Sequence, residues 1–425
     1  MKYLWKNKTL LIILIFAFWL VPQAISIPEQ SRTETIVTGV AIDKVENDYE
    51  VTLQYIVPHA STSSQSLNLS SDKGKTIDEA ISKVNAKLGK FSGFAHCRVL
   101  VFNEKACEEN FTKLLDSFLR KKTNTNNIIL INTKDSAKDL LGASDNLDSN
   151  LYSYLNNNAH SDELKNQGDL KSIGDYYVSY LGPSKTLAVN VVDIEKESGG
   201  DSPSGSGDNS GGGGSNSSSN SSQGDNGGSG GSQSNSSQSS EEKKQIKNEG
   251  KLLIIKNQKK LLTLSAEDSK NLNLFNQNVK KSNLQIKDFS DENLVNADIT
   301  FDIYDKSVKT KVYFRNNEPY CDIYLKIHLR TSEVFSNSLD KTDYEVLQQK
   351  YTDKLFDEIR REIINRMQSA ERNFKDNNYD VINCEEAFYK FKNGEYKKYL
   401  KLNNNKEEFI KYVHFNYYVD IAKGA

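Results

Sequence analysis

The chain has 425 residues, of which 36% are hydrophobic and 26% are charged, and its 55 basic and 57 acidic side chains give a formal net charge of −2. This length is sufficient for two or three domains. The balance of charge excludes both the basic stripe that nucleic-acid binding requires and an acidic tail.

The N-terminal residues have the pattern of an export signal. Three lysines precede the apolar run Leu10–Val21, Pro22 ends that run, and Ala24-Ile25-Ser26 resembles a cleavage site. Because a spanning helix needs about 20 residues, residues 1–26 are interpreted as either a cleaved signal peptide or a retained membrane anchor. In both cases the positively charged N-terminus places the rest of the chain outside the cytoplasm.

Residues 27–197 alternate between strand and helix patterns and are predicted to form an N-terminal α/β domain. Thr76 and Glu79 have the spacing of a capping box, which opens an amphipathic helix. A second amphipathic helix begins near Phe111. The predicted strands are Glu34–Ile42, Tyr49–Val57, Cys97–Asn103 and Asn127–Asn132. This alternation indicates helices that cover a mixed sheet.

Residues 198–245 are predicted to be a flexible linker, because Ser198–Ser240 consists almost entirely of Ser, Gly, Asn, Gln and Asp. Such a composition cannot bury apolar surface. As a free coil, the segment would hold its two ends roughly 35 Å apart.

Two further domains are predicted after the linker. Residues 246–290 form a small middle domain with a hairpin of Leu252–Ile255 and Leu261–Leu264, and residues 291–425 form a C-terminal α+β domain. Apolar residues near every fourth position give the helix Tyr344–Phe374 a buried face. The other predicted elements are the strands Asp298–Tyr304, Lys309–Arg315, Tyr320–Arg330 and Phe409–Ile421 and the helix Cys384–Phe391. The fold class is therefore α/β and α+β, multidomain, with mixed β-sheets flanked by helices.

Four cysteines, Cys97, Cys107, Cys321 and Cys384, are scattered along the chain. Because no two of them form a C-x-x-C pair, the sequence predicts neither a zinc site nor a thioredoxin-like motif. We expect all four to be buried as small hydrophobic side chains. A Cys97–Cys107 disulfide stays open as an alternative, since an exported protein can keep one.

The sequence contains no nucleophile elbow, no phosphate-binding loop and no cluster of metal ligands. Each histidine is isolated from a second ligand and is interpreted as a surface or structural residue; the five are His59, His96, His160, His328 and His414. The charge run Glu358–Glu362 is interpreted as the solvated face of its helix. We therefore predict no enzyme, no catalytic, metal-binding or cofactor-binding residues and no cofactor, and the binding residues stay unassigned.

Four segments point to a family. IVTGVAID (Ile36–Asp43), GKTIDEA (Gly74–Ala80) and AHCRVLVFNE (Ala95–Glu104) occur in this order, and LLIIKNQKKLLTLSAEDSKNLNLF (Leu252–Phe275) follows the linker. This succession resembles the Ger(x)C family, the C subunits of spore germinant receptors. The similarity extends over about Thr33–Ile421 apart from the linker.

The resemblance implies a non-enzymatic, membrane-associated subunit that is needed for receptor assembly or signalling in spore germination. It implies mixed α/β domains on the extracytoplasmic face of the spore inner membrane, in contact with the integral-membrane A and B subunits of the receptor. Nucleic acid is not expected as a partner, and direct binding of a small molecule is left open.

The chain departs from the family at its N-terminus. Family members typically carry a lipid-attached cysteine about eleven residues before the IVTG strand, where this chain has Ile25, and no cysteine precedes Cys97. Because lipid attachment needs a thiol, membrane association would depend on a retained Leu10–Val21 anchor or on partner subunits. The alternative interpretation is an exported surface binding or adhesion protein that uses the same fold.

Overall fold

The computed structural model describes residues 34–57, 66–120, 125–143, 151–160, 169–196, 244–291, 294–335, 352–403 and 408–423. The helices are α1 (Ile77–Leu88), α2 (Phe111–Leu119), α3 (Ala137–Ala143), α4 (Leu151–His160), α5 (Ile173–Leu181), α6 (Ala266–Asn273), α7 (Asp353–Asp376), α8 (Cys384–Phe391) and α9 (Asn393–Asn403). The strands are β1 (Glu34–Val45), β2 (Asp48–Val57), β3 (Ser66–Gly74), β4 (Phe91–Gly93), β5 (Val99–Asn103), β6 (Ile129–Thr133), β7 (Thr186–Val191), β8 (Asp193–Lys196), β9 (Lys244–Lys247), β10 (Leu252–Lys256), β11 (Lys259–Leu264), β12 (Ser282–Phe289), β13 (Ala297–Arg315), β14 (Glu318–Phe335) and β15 (His414–Lys423).

The larger sheet is mixed and has the order β11-β10-β7-β6-β5-β1-β2-β3, with β4 paired to β1. Its centre is parallel, whereas β2, β3, β10 and β11 run antiparallel to their neighbours. Helices α1, α2 and α5 pack on one face, and α3 and α4 pack on the other. The sheet is therefore covered on both faces, which is typical of parallel sheets.

The smaller sheet has the order β12-β13-β14-β15. The sequence predicted two separate strands, over 298–304 and 309–315, and this prediction is wrong. The two segments form one strand, which continues through an irregularity between Ile303 and Asp305. A hairpin joins β13 to β14 at Asn316-Asn317, whose φ angles of 54° and 64° suit asparagine. Helix α7 packs on one face of this sheet through Leu355, Ile359, Ile363, Met367 and Phe374, as the pattern predicted.

The segment predicted as a small middle domain contributes strands to both sheets. The predicted hairpin of β10 and β11 is present, and it extends the larger sheet, whereas β12 belongs to the smaller one. Leu253 and Ile255 face the helices of the N-terminal half, while Leu252 and Ile254 belong to the apolar core of the C-terminal half. The two halves thus share strand β10, and the exact domain boundaries stay a prediction.

Strands β8 and β9 bring the two flanks of the linker together. Asp193 pairs with Lys247 and Lys196 with Lys244 in an antiparallel ladder. The expected separation of roughly 35 Å for a free coil is therefore wrong, since strand pairing brings the flanks into register. Residues 197–243, which contain almost all of the predicted linker, lie outside the described residues.

No helix among the described residues is both long and apolar enough to cross a membrane. The predicted signal peptide or anchor over residues 1–26 lies outside the described residues, as do residues 344–351 of the predicted long helix. Helix α7 begins after its N-cap Thr352, whose hydroxyl accepts the Leu355 N–H.

Candidate interaction surface

The residues that carry the family resemblance have structural roles. The Asp43 carboxylate accepts the backbone N–H groups of Ala137 and Lys138 at 2.7 and 2.9 Å, and so caps α3. Gly74 lies so close to the start of α1 that an added Cβ would be 2.6 Å from the Ala80 nitrogen. These motif residues therefore hold helices against the larger sheet.

The predicted capping box at α1 is half correct. The Thr76 hydroxyl accepts the Glu79 N–H at 3.2 Å, as predicted. The Glu79 carboxylate, however, accepts the N–H of Lys75 at 2.9 Å, where a capping box requires that of Thr76. The acidic side chain reaches one residue further back, so only the N-cap half of the motif is present.

The structure does not bring together the three histidines whose side chains it describes. His96 lies in the loop before β5, His328 on β14 and His414 on β15, and the side chains of His59 and His160 are outside the described residues. No group of three or more His, Cys, Asp or Glu side chains in the described ranges could hold a metal ion.

All four cysteines are free and buried, so the alternative Cys97–Cys107 disulfide is not formed. Burial raises the pKa of the Cys97 and Cys107 thiols to about 12. Burial and the neighbouring Cys321 thiol raise the pKa of Cys384 as well. Because the thiolate is the reactive form, these cysteines act as core side chains.

The face of the smaller sheet opposite α7 is open to solvent. Alternate residues of β13, β14 and β15 point to this open face, and their partners in each strand point to the apolar core. The open face consists of Ser307, Lys309, Lys311, Tyr313, Tyr320, Asp322, Tyr324, Lys326, His414, Asn416, Tyr418 and Asp420. Tyr324 and Tyr418 are 41% and 49% exposed. Aromatic and charged side chains are thus concentrated on one accessible surface.

Aromatic rings on the open face are stacked from strand to strand. Tyr313, Tyr320 and His414 form one row, with ring centroids 5.5 and 4.8 Å apart. Tyr324 and Tyr418 form a second row, with centroids 4.7 Å apart and planes 12° from parallel. Cross-strand pairs of this kind stabilise a sheet by about 0.5–1.5 kcal/mol each. Both rows end on β15.

A groove of about 620 Å³ runs along β15 and contains part of the open face. Its polar lining includes Lys309, Lys326, Arg360 and Asp420, and Tyr324 and Tyr418 supply exposed rings. The Arg360 guanidinium also donates to the Val419 carbonyl of β15 at 3.3 Å and pairs with Asp357 at 2.6 Å. The groove therefore combines aromatic rings with an excess of positive charge.

A second polar region lies at the junction of the two sheets. Lys256 of β10 donates to the Asn378 carbonyl beside the buried Asp380, and Asp380 accepts the N–H groups of Ile382, Cys384 and Glu385 at the start of α8. The Tyr396 hydroxyl donates to Glu385 at 2.7 Å. Burial raises the pKa of Asp380 to about 6 and that of Glu385 to about 7. The cluster therefore contains two buried carboxyl groups with raised pKa values.

The junction also contains a buried lysine. Lys306 of β13 is 1% exposed and donates to the Asn273 carbonyl at the end of α6. Burial, with a smaller effect of Lys280, lowers the pKa of Lys306 to about 7. A crevice of about 430 Å³ lies nearby. Amide side chains in the wall of this crevice form hydrogen bonds within the protein; for example, the Asn278 amide donates to the Asp169 carboxylate at 2.6 Å. The junction is therefore a polar link between the two sheets.

Sequence reasoning identified neither surface. The alternation of Tyr320, Asp322, Tyr324 and Lys326 along β14 was a usable signal, because period-two polar residues mark a solvent-exposed face. The junction had no comparable signal, since Lys256 lies far from Asp380 and Glu385 in the chain.

Two family models match the chain, one on each side of the linker. The spore germination protein N-terminal domain matches residues 32–194, and the C-terminal domain of spore germination B3/GerAC-like proteins matches residues 249–422. A solved structure, the GerBC protein, is similar with a TM-score of 0.48 and 15% sequence identity, over 91% of this chain and 97% of that chain. No curated protein matches the chain significantly.

Proposed function

The chain belongs to the Ger(x)C family of spore germination proteins, the C subunits of germinant receptors, and on that premise we propose that it is a non-enzymatic, membrane-associated subunit of a nutrient germinant receptor. Its role is to support receptor assembly or signalling in spore germination. The observation that carries this proposal is the pair of family matches, which occur in order on both sides of the linker.

The local structure supports a function through contact surfaces. Asp43 caps a helix and Gly74 permits close packing of α1, so the motif residues build the fold. The aromatic and charged residues of the open face are accessible instead. A subunit of this design acts by binding partners, and the partners that we propose are the integral-membrane A and B subunits.

The proposed location is the extracytoplasmic face of the spore inner membrane. The lysines before Leu10–Val21 favour an N-terminus on the cytoplasmic side. Retention at the membrane then depends on this segment as an anchor or on the partner subunits. No cofactor is part of the proposed mechanism.

Deletion of the gene, in a strain without a paralogue, tests the proposal. We expect nutrient-triggered germination to fail and to return when the full chain is expressed in trans. A second complementing chain carries a cleavable signal peptide in place of residues 1–26. Restored germination with this chain would assign membrane retention to the partner subunits, and failed germination would assign it to the anchor.

Two outcomes would contradict the proposal. One is unchanged germination of the deletion strain toward every nutrient tested. The other is expression during vegetative growth with display on the cell surface, which would favour the alternative of an exported binding or adhesion protein.

A further inference from the structure

Strand β15 presents an edge that the described chain leaves without a neighbouring strand. Within the described ranges, β15 pairs only with β14, in a parallel ladder from His414 to Lys423. Its ten residues exceed the usual strand length of about 5–6 residues. Unpaired backbone groups on such an edge can accept a further strand.

The aromatic rows end at this edge. His414 stacks on Tyr320 and Tyr418 stacks on Tyr324, so that each row ends in an exposed ring on β15. The two terminal residues are four positions apart and lie on the same face, at a separation of roughly 13 Å along the strand. A strand added beside β15 would place its own side chains against both rings.

The charge of the groove indicates what kind of segment would bind beside β15. Its lining contains three basic side chains, those of Lys309, Lys326 and Arg360, and one carboxylate, that of Asp420. Among the described residues, neither Lys309 nor Lys326 has an ion-pair partner. Lys326 lies on β14, next to β15, and Lys309 lies one strand further away. Acidic side chains on the added segment would therefore be attracted mainly to the Lys326 ammonium group, and complementary charge of this kind gives specificity.

A membrane surface fits the groove less well than a peptide does. Charge alone does not separate the two, because Asp322 is buried and Asp420 acts alike on anionic headgroups and on an acidic peptide. The strand edge does separate them, because a flat bilayer cannot form hydrogen bonds along it, whereas an extended backbone can.

We propose that β15 and the groove beside it bind an extended acidic segment of a partner protein, which adds to the smaller sheet as a further strand. The inference deepens the proposed function by naming the contact surface, and it rests on that function only for the identity of the partner. Direct binding can be tested without a spore.

The probe is a fluorescein-labelled peptide of alternating Glu and Val, and its counterpart carries Lys in place of Glu. The full chain in detergent is titrated with both peptides. We expect the acidic peptide to bind and the basic peptide not to bind. The Lys309→Glu/Lys326→Glu double variant should weaken binding about tenfold, which corresponds to about 1.4 kcal/mol. Lys311→Glu is the matched control, because Lys311 lies on the same face of β13 but outside the groove lining; we expect less than about a twofold effect from its distant charge.

Strand addition is distinguished from side-chain contact by amide hydrogen exchange. Bound acidic peptide should slow exchange within His414–Lys423, since edge N–H groups become hydrogen-bonded. Equal binding of both peptides, equal weakening by the Lys311→Glu control, or no protection of β15 would overturn the proposal. A third outcome is that neither peptide binds, that phosphatidylglycerol vesicles do bind, and that the double variant abolishes this vesicle binding. This outcome would overturn the proposal of a partner protein and identify a membrane as the ligand of the groove.

The two proposals fail separately. A germination defect in the deletion strain, together with absence of peptide binding, would overturn the docking surface and leave the receptor function in place. Peptide binding without any germination defect in the deletion strain would overturn the receptor function and leave the docking surface in place.

Discussion

The two sheets bury their strands differently. Strand β1 at the centre of the larger sheet is buried over seven consecutive residues, because helices cover both faces. Strand β14 of the smaller sheet alternates, with Ile323, Leu325 and Ile327 in the core and Tyr324 and Lys326 exposed. A strand that is covered on both faces needs apolar side chains along most of its length. A sheet that is covered on one face can carry polar, charged or aromatic side chains on the other. Exposed aromatic and charged chemistry is therefore concentrated on the smaller sheet.

The largest expected effect comes from a charge under α7. Ile359 is fully buried against the smaller sheet, and Ile359→Asp should lower the free energy of unfolding by more than about 4 kcal/mol, since a buried unpaired charge is costly. Chemical denaturation of the variant and of Gln368→Asp, an exposed position of the same helix, measures the difference. Normal stability of Ile359→Asp would show that this helix face is not packed.

The two faces of the smaller sheet can be compared directly. Phe301 is fully buried in the core, and Phe301→Ala should cost about 3–5 kcal/mol. Tyr324→Ala on the open face should cost about 0.5–1.5 kcal/mol, because it removes one stacked pair. Urea unfolding of both variants tests this ratio. Equal costs would mean that the open face is covered in the folded protein.

The junction should make stability depend on pH. The pKa values of Asp380 and Glu385 are raised by burial, to about 6 and about 7. The folded chain therefore holds protons that the unfolded chain has lost, and stability falls as pH rises from about 4 to about 7. Each group contributes a slope of up to about 1.4 kcal/mol per pH unit.

Glu385→Gln isolates one of these groups. The glutamine oxygen can still accept from Tyr396, so we expect a flatter stability profile between pH 5 and pH 7 and a more stable protein at pH 8. Glu395→Gln is the control, because Glu395 is exposed on α9. Denaturant midpoints across this pH range measure the slope, and an unchanged slope in Glu385→Gln would place the pH dependence elsewhere.

The smallest expected effect concerns the predicted linker Ser198–Ser240, which joins β8 to β9. Because Lys196 and Lys244 already pair, a short turn can replace Ser198–Ser240 without opening the β8–β9 ladder. Loop closure entropy changes slowly with length, so the thermal midpoint should stay within a few degrees or rise slightly. A large drop in calorimetry would indicate that the linker packs on a domain.

The sequence predicted the elements whose evidence is local. Helix α2, the N-cap at Thr76 and the hairpin of β10 and β11 all follow from residues within one or two turns of each other. Strand β3 was missed, because SLNLSSDKG contains few apolar residues and gains its place by pairing with β2. Helix α9 was missed as well, since Tyr396 is its one fully buried side chain.

By itself the sequence determined the mixed α/β character and the family, because periodicity and motif order do not depend on distant contacts. Only the tertiary structure showed that β10 contributes side chains to two apolar cores and that β8 pairs with β9 across the two flanks of the linker. It also showed that two rows of stacked rings end on β15. Each of these features joins residues far apart in the chain, and pairing of distant strands is fixed by the packing of the whole fold.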